Sequence, residues 1–438
     1  MKRIKINNFN IPQKGTDIYN FAKKIFPINR SLMGNGNRLT LELIKKKLPK
    51  LKIHEVPSNT KVFDWKIPYE WNIVDAYIVD PTGKKIIKFK ENNLHVVGYS
   101  TPINQSISLD ELKKHLHYKK ELPTAIPYVT SYYKKSWGFC LSYNQYKSLK
   151  KGTYKVFINS TLKKGSLTYA DLLIKGRSNK EILLTSYICH PSLANNEVSG
   201  PSLLTYLAEF IGALKNRRYS YRIVFHPENL GAITYIKNNL KILKKNVVAG
   251  YVLSCVGDDK NYSFIPSRKG DSLSDKIARH VLNNFVKSYK EYLFLESGSD
   301  ERRYCSPNVD LPIASILRTK YGNYKEYHTS KDDMSFISPK GFQGAFNVYL
   351  RVIRILENNF RYKTTTFCEP QLGKRGLYPN VSKWPNESVW KEIQKLINLL
   401  SYADGSDDLI DISEKIKTNT DDLLNELVRL EKLNLIKI

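Results

Sequence analysis

Cysteine is scarce in this chain and carries no pattern. Five residues (Cys140, Cys189, Cys255, Cys305 and Cys368) are spread over 438 positions with no CxxC spacing. That excludes a zinc-finger module and a small disulfide scaffold, and reduced thiols are expected. Long apolar runs are missing too: nothing approaches the roughly 18 residues a membrane span requires. The start, Met1-Lys2-Arg3-Ile4-Lys5-Ile6-Asn7-Asn8, lacks the apolar core of a signal peptide. A cytoplasmic location follows as an expectation. Low-complexity tracts and internal repeats are absent. Acids are few, 41 Asp and Glu against 70 Lys and Arg, which leaves a net charge of +29. Such an excess invites a polyanion partner, but the lysines are dispersed, as at Lys50, Lys119-Lys120, Lys134-Lys135 and Lys150-Lys151. Dispersed lysine reads as a solubilising surface.

What is present describes a globular protein of two or three domains, with 41% hydrophobic residues, 29 Tyr and 17 Phe. Apolar runs at 181–188, 221–226, 247–254 and 311–317 read as buried strands. Helical spacing at 198–214, 230–240, 271–287 and about 340–357 alternates with them. The pattern predicts an α/β fold, a mixed and mostly parallel sheet with helices on both faces. Each strand ends beside polar residues: His190, then Glu228, then Asp258-Asp259, then Tyr327-His328. Ligands of open parallel sheets gather at the carboxyl ends of strands, so these side chains are expected to share one crevice. Imidazole and carboxylate delivered from successive strand ends suit zinc without a local HExxH helix.

Helices are expected from about 17 to 26 and 37 to 48. Residues 61–156 are richer in strand signals and include Trp65 and Trp71; the segment 137–142 is a candidate wall for the crevice. The end of the chain predicts three helices, 390–400, 408–416 and 420–433, and a short strand from Leu435, a winged-helix order. Between 403 and 438 stand nine acids and five bases, a net of −4. Phosphates would be repelled, which argues against nucleic acid and for a packing or interaction module.

The motifs around His190, Pro227-Glu228-Asn229-Leu230-Gly231, Leu253–Lys260, Ser297–Cys305 and Glu326-Tyr327-His328-Thr329-Ser330 resemble those of bacterial proteins with an aminopeptidase-like domain, related to the clan of zinc aminopeptidases. The resemblance spans about residues 15–438. It implies an aminopeptidase-like domain from 1–60 and 157–375, an inserted β-rich domain from 61–156 and a winged-helix domain from 376–438. In that clan two zinc ions are held by two His, two Asp and a Glu, with a neighbouring Glu as general base. Carried over, His190 and His328 match the imidazole ligands, and Glu228 falls in the acidic motif as ligand or catalytic base. Two positions depart from the pattern. Asn196 stands where the bridging Asp is usual, and Ser254 appears at the third-strand ligand position, with Asp258 further on. Asn is a neutral, weaker ligand, so one zinc ion is expected rather than two, with Glu197 a substitute donor. Asp332, or Asp333, is expected to orient the His328 ring. Arg268, Asp300, Arg303 and Tyr304 are expected at the mouth, facing a substrate anion.

Two functions follow from this. One is a zinc-dependent amide or peptide hydrolase of aminopeptidase type, acting on a small substrate in surface-polysaccharide or secondary-metabolite assembly. The other is a catalytically lapsed relative that binds a ligand or protein partner through the same pocket. Homo-oligomer formation is left open.

Overall fold

The computed structural model describes residues 11–132, 134–378 and 387–438; the amino-terminal stretch read above for a signal sequence lies outside them. Helix α1 (Gly15–Ile25) forms because Ile18, Phe21, Ala22 and Ile25 fall at helical spacing on one face, and that face is buried. Helix α2 (Asn35–Lys47) follows by the same rule through Leu41 and Ile44.

The main sheet has eight strands: β1 (Lys52–Pro57), β2 (Ser166–Ile174), β3 (Glu181–Tyr187), β4 (Ser220–His226), β5 (Val247–Val252), β6 (Ser263–Ile265), β7 (Lys290–Glu291) and β8 (Ile313–Leu317), in the order β1-β2-β4-β3-β5-β8-β6-β7. The four central strands run parallel, while β2 joins β4, and β6 joins β8, antiparallel. All seven residues of β3 and all seven of β4 are buried, the reason both read as near-continuous apolar runs. Helices α3 (Ser199–Ala213), α4 (Leu230–Asn246), α5 (Leu273–Phe285) and α6 (Pro339–Asn358) provide the cover. Gly200, in the first turn of α3, permits a close approach: a Cβ there would lie 2.3 Å from the Leu253 carbonyl and 2.4 Å from Ser186 Oγ. That contact seats the start of α3 on the ends of β3 and β5, directly beside the crevice.

Between β1 and β2 the chain builds a second, antiparallel sheet from Glu70–Val79, Lys85–Lys88, Ile103–Ser108 and Thr153–Lys163. The last of these continues through residue 156 to Lys163. A β-bridge joins Pro127 of this inserted segment to Thr329, and Tyr128 N–H donates to the His328 carbonyl at 2.9 Å. The insertion is thereby tied to the loop that carries His328.

The C-terminal unit has a three-stranded sheet (Arg361–Thr364, Asp404–Asp408 and Ile436–Lys437) with helices Glu387–Tyr402, Leu409–Lys415 and Thr420–Lys432. It docks on α5 and α6. Lys276 reaches Asp408 at 2.8 Å and Asp411 at 2.6 Å, Arg354 reaches Asp421 at 3.0 Å, and His280 Nε2 meets Thr420 Oγ1 at 3.2 Å. Among the described residues no helix is long and apolar enough to cross a membrane, and all five cysteines are free thiols.

Candidate metal centre

His190 follows β3 and is buried at the carboxyl edge of the sheet. Its Nδ1 lies 2.7 Å from Glu197 Oε2, and its Nε2 faces Glu228 Oε2 at 3.9 Å. Burial alone lowers the imidazole pKa; the Glu197 carboxylate outweighs it and the net shift is upward. Glu197 is itself fully buried, with Arg30 Nε 3.3 Å from its other oxygen. Arg30, which also donates to the Ile25 carbonyl at 2.6 Å, is a residue that sequence reasoning missed. No spacing links positions 30 and 197.

Glu197 therefore does not substitute for the lost Asp. It grips the rear nitrogen of His190, as outer-shell carboxylates do, and leaves Nε2 to face the crevice. Cys189, His190 and Glu197 are the one group among the described residues with three donor atoms within 4.8 Å of one another. A cation already sits there, however, as the Arg30 guanidinium, and burial drives the Cys189 pKa well up, keeping it a thiol.

The His328 ring centroid lies 5.5 Å from that of His190. Two imidazoles on one tetrahedral zinc, with Zn–N of about 2.05 Å, would have centroids about 5 Å apart. His328 Nε2 is 3.1 Å from Asn196 Oδ1, and Asn196 Nδ2 donates to the Tyr187 hydroxyl at 3.0 Å. Burial pushes the His328 pKa down to about 3, so the ring is neutral. The residue holds a left-handed φ of 54°, an uncommon conformation fixed by the bridged Tyr128 strand. Tyr128, also missed from sequence, packs its ring 5.2 Å from both imidazoles. It supplies the wall expected of segment 137–142, where Trp137 instead stacks on His115 at 3.7 Å.

Asp332 corrects another expectation. It accepts the backbone N–H groups of Asn195 and Asn196 at 2.6 and 3.0 Å and the Tyr324 hydroxyl at 3.1 Å, so it positions the Asn196 loop and not the His328 ring. Burial raises it to about 6. Asp258 is spent on Asn195 and Thr319, away from the crevice.

Glu228 has one oxygen held by the Ser299 hydroxyl, and burial raises its pKa. The neighbouring Asn229 adopts φ 61°, with its N–H on Asp300 Oδ1 at 2.8 Å and its Oδ1 gripped by Arg303 at 2.6 and 3.0 Å. Asp300 is completely buried, and with Arg303 it shapes the Glu228 turn. Tyr304 does not reach the mouth: it is buried, and its hydroxyl lies 2.9 Å from His226 Nε2. Arg268 is elsewhere. Strand β6 runs antiparallel to β8, so its continuation leads to the amino edge of the parallel strands, where Arg268 pairs with Asp310 at 2.6 Å.

The crevice thus brings together His190, His328, Asn196 and Glu228. As they stand, the donors form two pairs, His328 with Asn196 and His190 with Glu228. Ligands on one tetrahedral ion lie about 3.3 Å apart; the first pair matches that edge and the second exceeds it. The donor chemistry fits a single zinc once His328 and His190 draw together.

Comparison with known proteins agrees with this architecture. Residues 19–359 match the family model described as Domain of unknown function (DUF4910), and residues 360–438 match a winged helix-turn-helix model. A Clostridium acetobutylicum protein named "Putative polysaccharide biosynthesis protein with aminopeptidase-like domain" is 43% identical over 410 residues, covering 93% of this chain and 92% of that one. The crystal structure of a "putative peptidase" from Clostridium acetobutylicum superposes with a TM-score of 0.91 at 41% identity, over 97% of this chain and 96% of that chain. A zinc aminopeptidase from Bacillus subtilis shares the fold at 12% identity, with a TM-score of 0.58 over 79% of this chain and 96% of that chain. The chain therefore belongs to the DUF4910 family, an aminopeptidase-like α/β fold that here carries a C-terminal winged helix.

Proposed function

We propose that this protein is a zinc-dependent amide hydrolase that works with one ion and acts on a small amide or peptide in surface-polysaccharide assembly in the cytoplasm. The observation that carries the reading is the meeting of His190 and His328, 138 positions apart in sequence, in one crevice with ring centroids 5.5 Å apart. His190 Nε2, His328 Nε2 and Asn196 Oδ1 would hold zinc. When bound, zinc lowers the pKa of a water to about 7 and polarises a carbonyl. Of the two roles open to Glu228, we assign the base. Its distance from His190 is long for a shared ligand edge, and its raised pKa suits proton acceptance. Glu228 Oε2 takes the proton of the attacking water and returns it to the leaving amine, while Ser299 fixes the other oxygen. Tyr128 shields the imidazoles, and Arg30 with Glu197 keeps His190 aimed.

A second reading, a lapsed enzyme that only binds, is favoured by one observation: Asn196 Oδ1 and His328 Nε2, both at ligand positions, are hydrogen-bonded to each other at 3.1 Å. Metal analysis combined with a panel of aminoacyl amides, with and without chelator, separates the two. The hydrolase reading expects one zinc per chain and activity that leaves and returns with it. Neither zinc nor hydrolysis, even after zinc is added, would establish the lapsed reading.

A further inference from the structure

A cleft of about 610 Å³ opens where the first turns of α1 and α6 meet. None of its lining residues is acidic, and none belongs to the candidate metal centre. Arg318, the residue after β8, lines it although its side chain is only 6% exposed. Its Nε donates to the Asp258 carbonyl at 2.7 Å, and its guanidinium lies 3.8 Å over the Tyr262 ring. Among the described residues no carboxylate oxygen lies within 4.0 Å of its nitrogens. A buried guanidinium without a counter-ion is costly, and an anion entering the cleft would supply the missing charge.

Two further features point the same way. Gly344 keeps the charge reachable, since a Cβ there would stand 3.1 Å from Arg318 Nη1 and 2.6 Å from the Tyr262 hydroxyl. Lys340, exposed in the first turn of α6, adds a second cation to the rim. The first N–H groups of α1, those of Lys14 and Gly15, are taken by Gln343 Oε1 at 2.7 and 2.8 Å and add nothing to the site. A guanidinium fork matches phosphate oxygens. The volume exceeds what a bare phosphate needs and falls in the range of small-molecule sites.

We propose that this cleft binds a phosphate-bearing small molecule, with its phosphate held between Arg318 and Lys340. The test is calorimetric titration of the whole chain, stripped of metal and dialysed so that no anion can sit at the metal centre, with inorganic phosphate and with pyrophosphate. Saturable binding is expected, weakened at least about tenfold by Arg318→Gln and about fivefold by Lys340→Glu, and falling with salt. Lys340 is exposed, so its variant retains the fold should Arg318→Gln fail to. Absence of saturable binding of either anion, or equal affinity in wild type and Lys340→Glu, would overturn the proposal.

Discussion

At the scale of single residues, Asn196 decides how tightly an ion is held. Restoring a carboxylate with Asn196→Asp is expected to tighten zinc by at least about tenfold, measured by chelator competition, because a charged oxygen replaces a neutral one. If Glu228 is the base, Glu228→Gln should lower kcat by about 10²- to 10⁴-fold while zinc content stays at wild-type level; loss of zinc with activity would make it a ligand instead. Arg30→Met leaves Glu197 buried with the His190 ring as its remaining partner, and urea unfolding should show a loss of about 3 kcal/mol, part of it recovered by adding Glu197→Gln. His190, Glu228 and His328 were legible in the sequence because each follows a strand whose apolar run is unmistakable. Arg30, Ser299 and Tyr128 were not, because their partners are distant in sequence and meet only through the fold. Tyr304 and Arg268 were misplaced for a related reason: loop composition does not tell which edge of a sheet a loop occupies.

At the scale of elements, the parallel strands and their helices matched the expected positions closely, since burial on both faces imposes continuous apolar runs and the helices keep clear amphipathic spacing. The edges did not. Strand Thr153–Lys163 crosses position 156, and Arg361–Thr364 already belongs to the C-terminal sheet, because a strand shared across a connection carries no composition break. The acids of the C-terminal unit were read as repelling phosphate. Three of them, Asp408, Asp411 and Asp421, are matched by Lys276, Arg351 and Arg354 of the main body. Asp421→Arg should therefore loosen the docking, and limited proteolysis should release residues 360–438 faster than from wild type.

At the scale of the whole molecule, buried neutral histidines set the response to acid. Burial lowers His226 and His280 to about 4, against about 6.5 in an unfolded chain. The unfolded state therefore binds more protons below pH 6.5, and the stability these groups contribute, fully present above that value, is lost as pH falls towards 4. His328, lowered to about 3, acts in the same direction, while His190, Glu228 and Asp332, whose pKa values are raised, work the other way. Relative to wild type, His280→Gln should gain stability as pH falls from 7 to 5, read as the difference between the two urea midpoints at each pH. The start of helix Thr420–Lys432, the end that would enter a major groove, is held against His280 and Arg354. Duplex DNA should accordingly bind without sequence preference and only at low salt, as a surface of charge +29 dictates. The central claim is most directly tested by a zinc anomalous difference map from crystals grown with the metal. One peak per chain, between His190 Nε2 and His328 Nε2 at about 2.0–2.1 Å from each, is the predicted result. No peak, or a peak on the Cys189 and Glu197 side of the His190 ring, would contradict it.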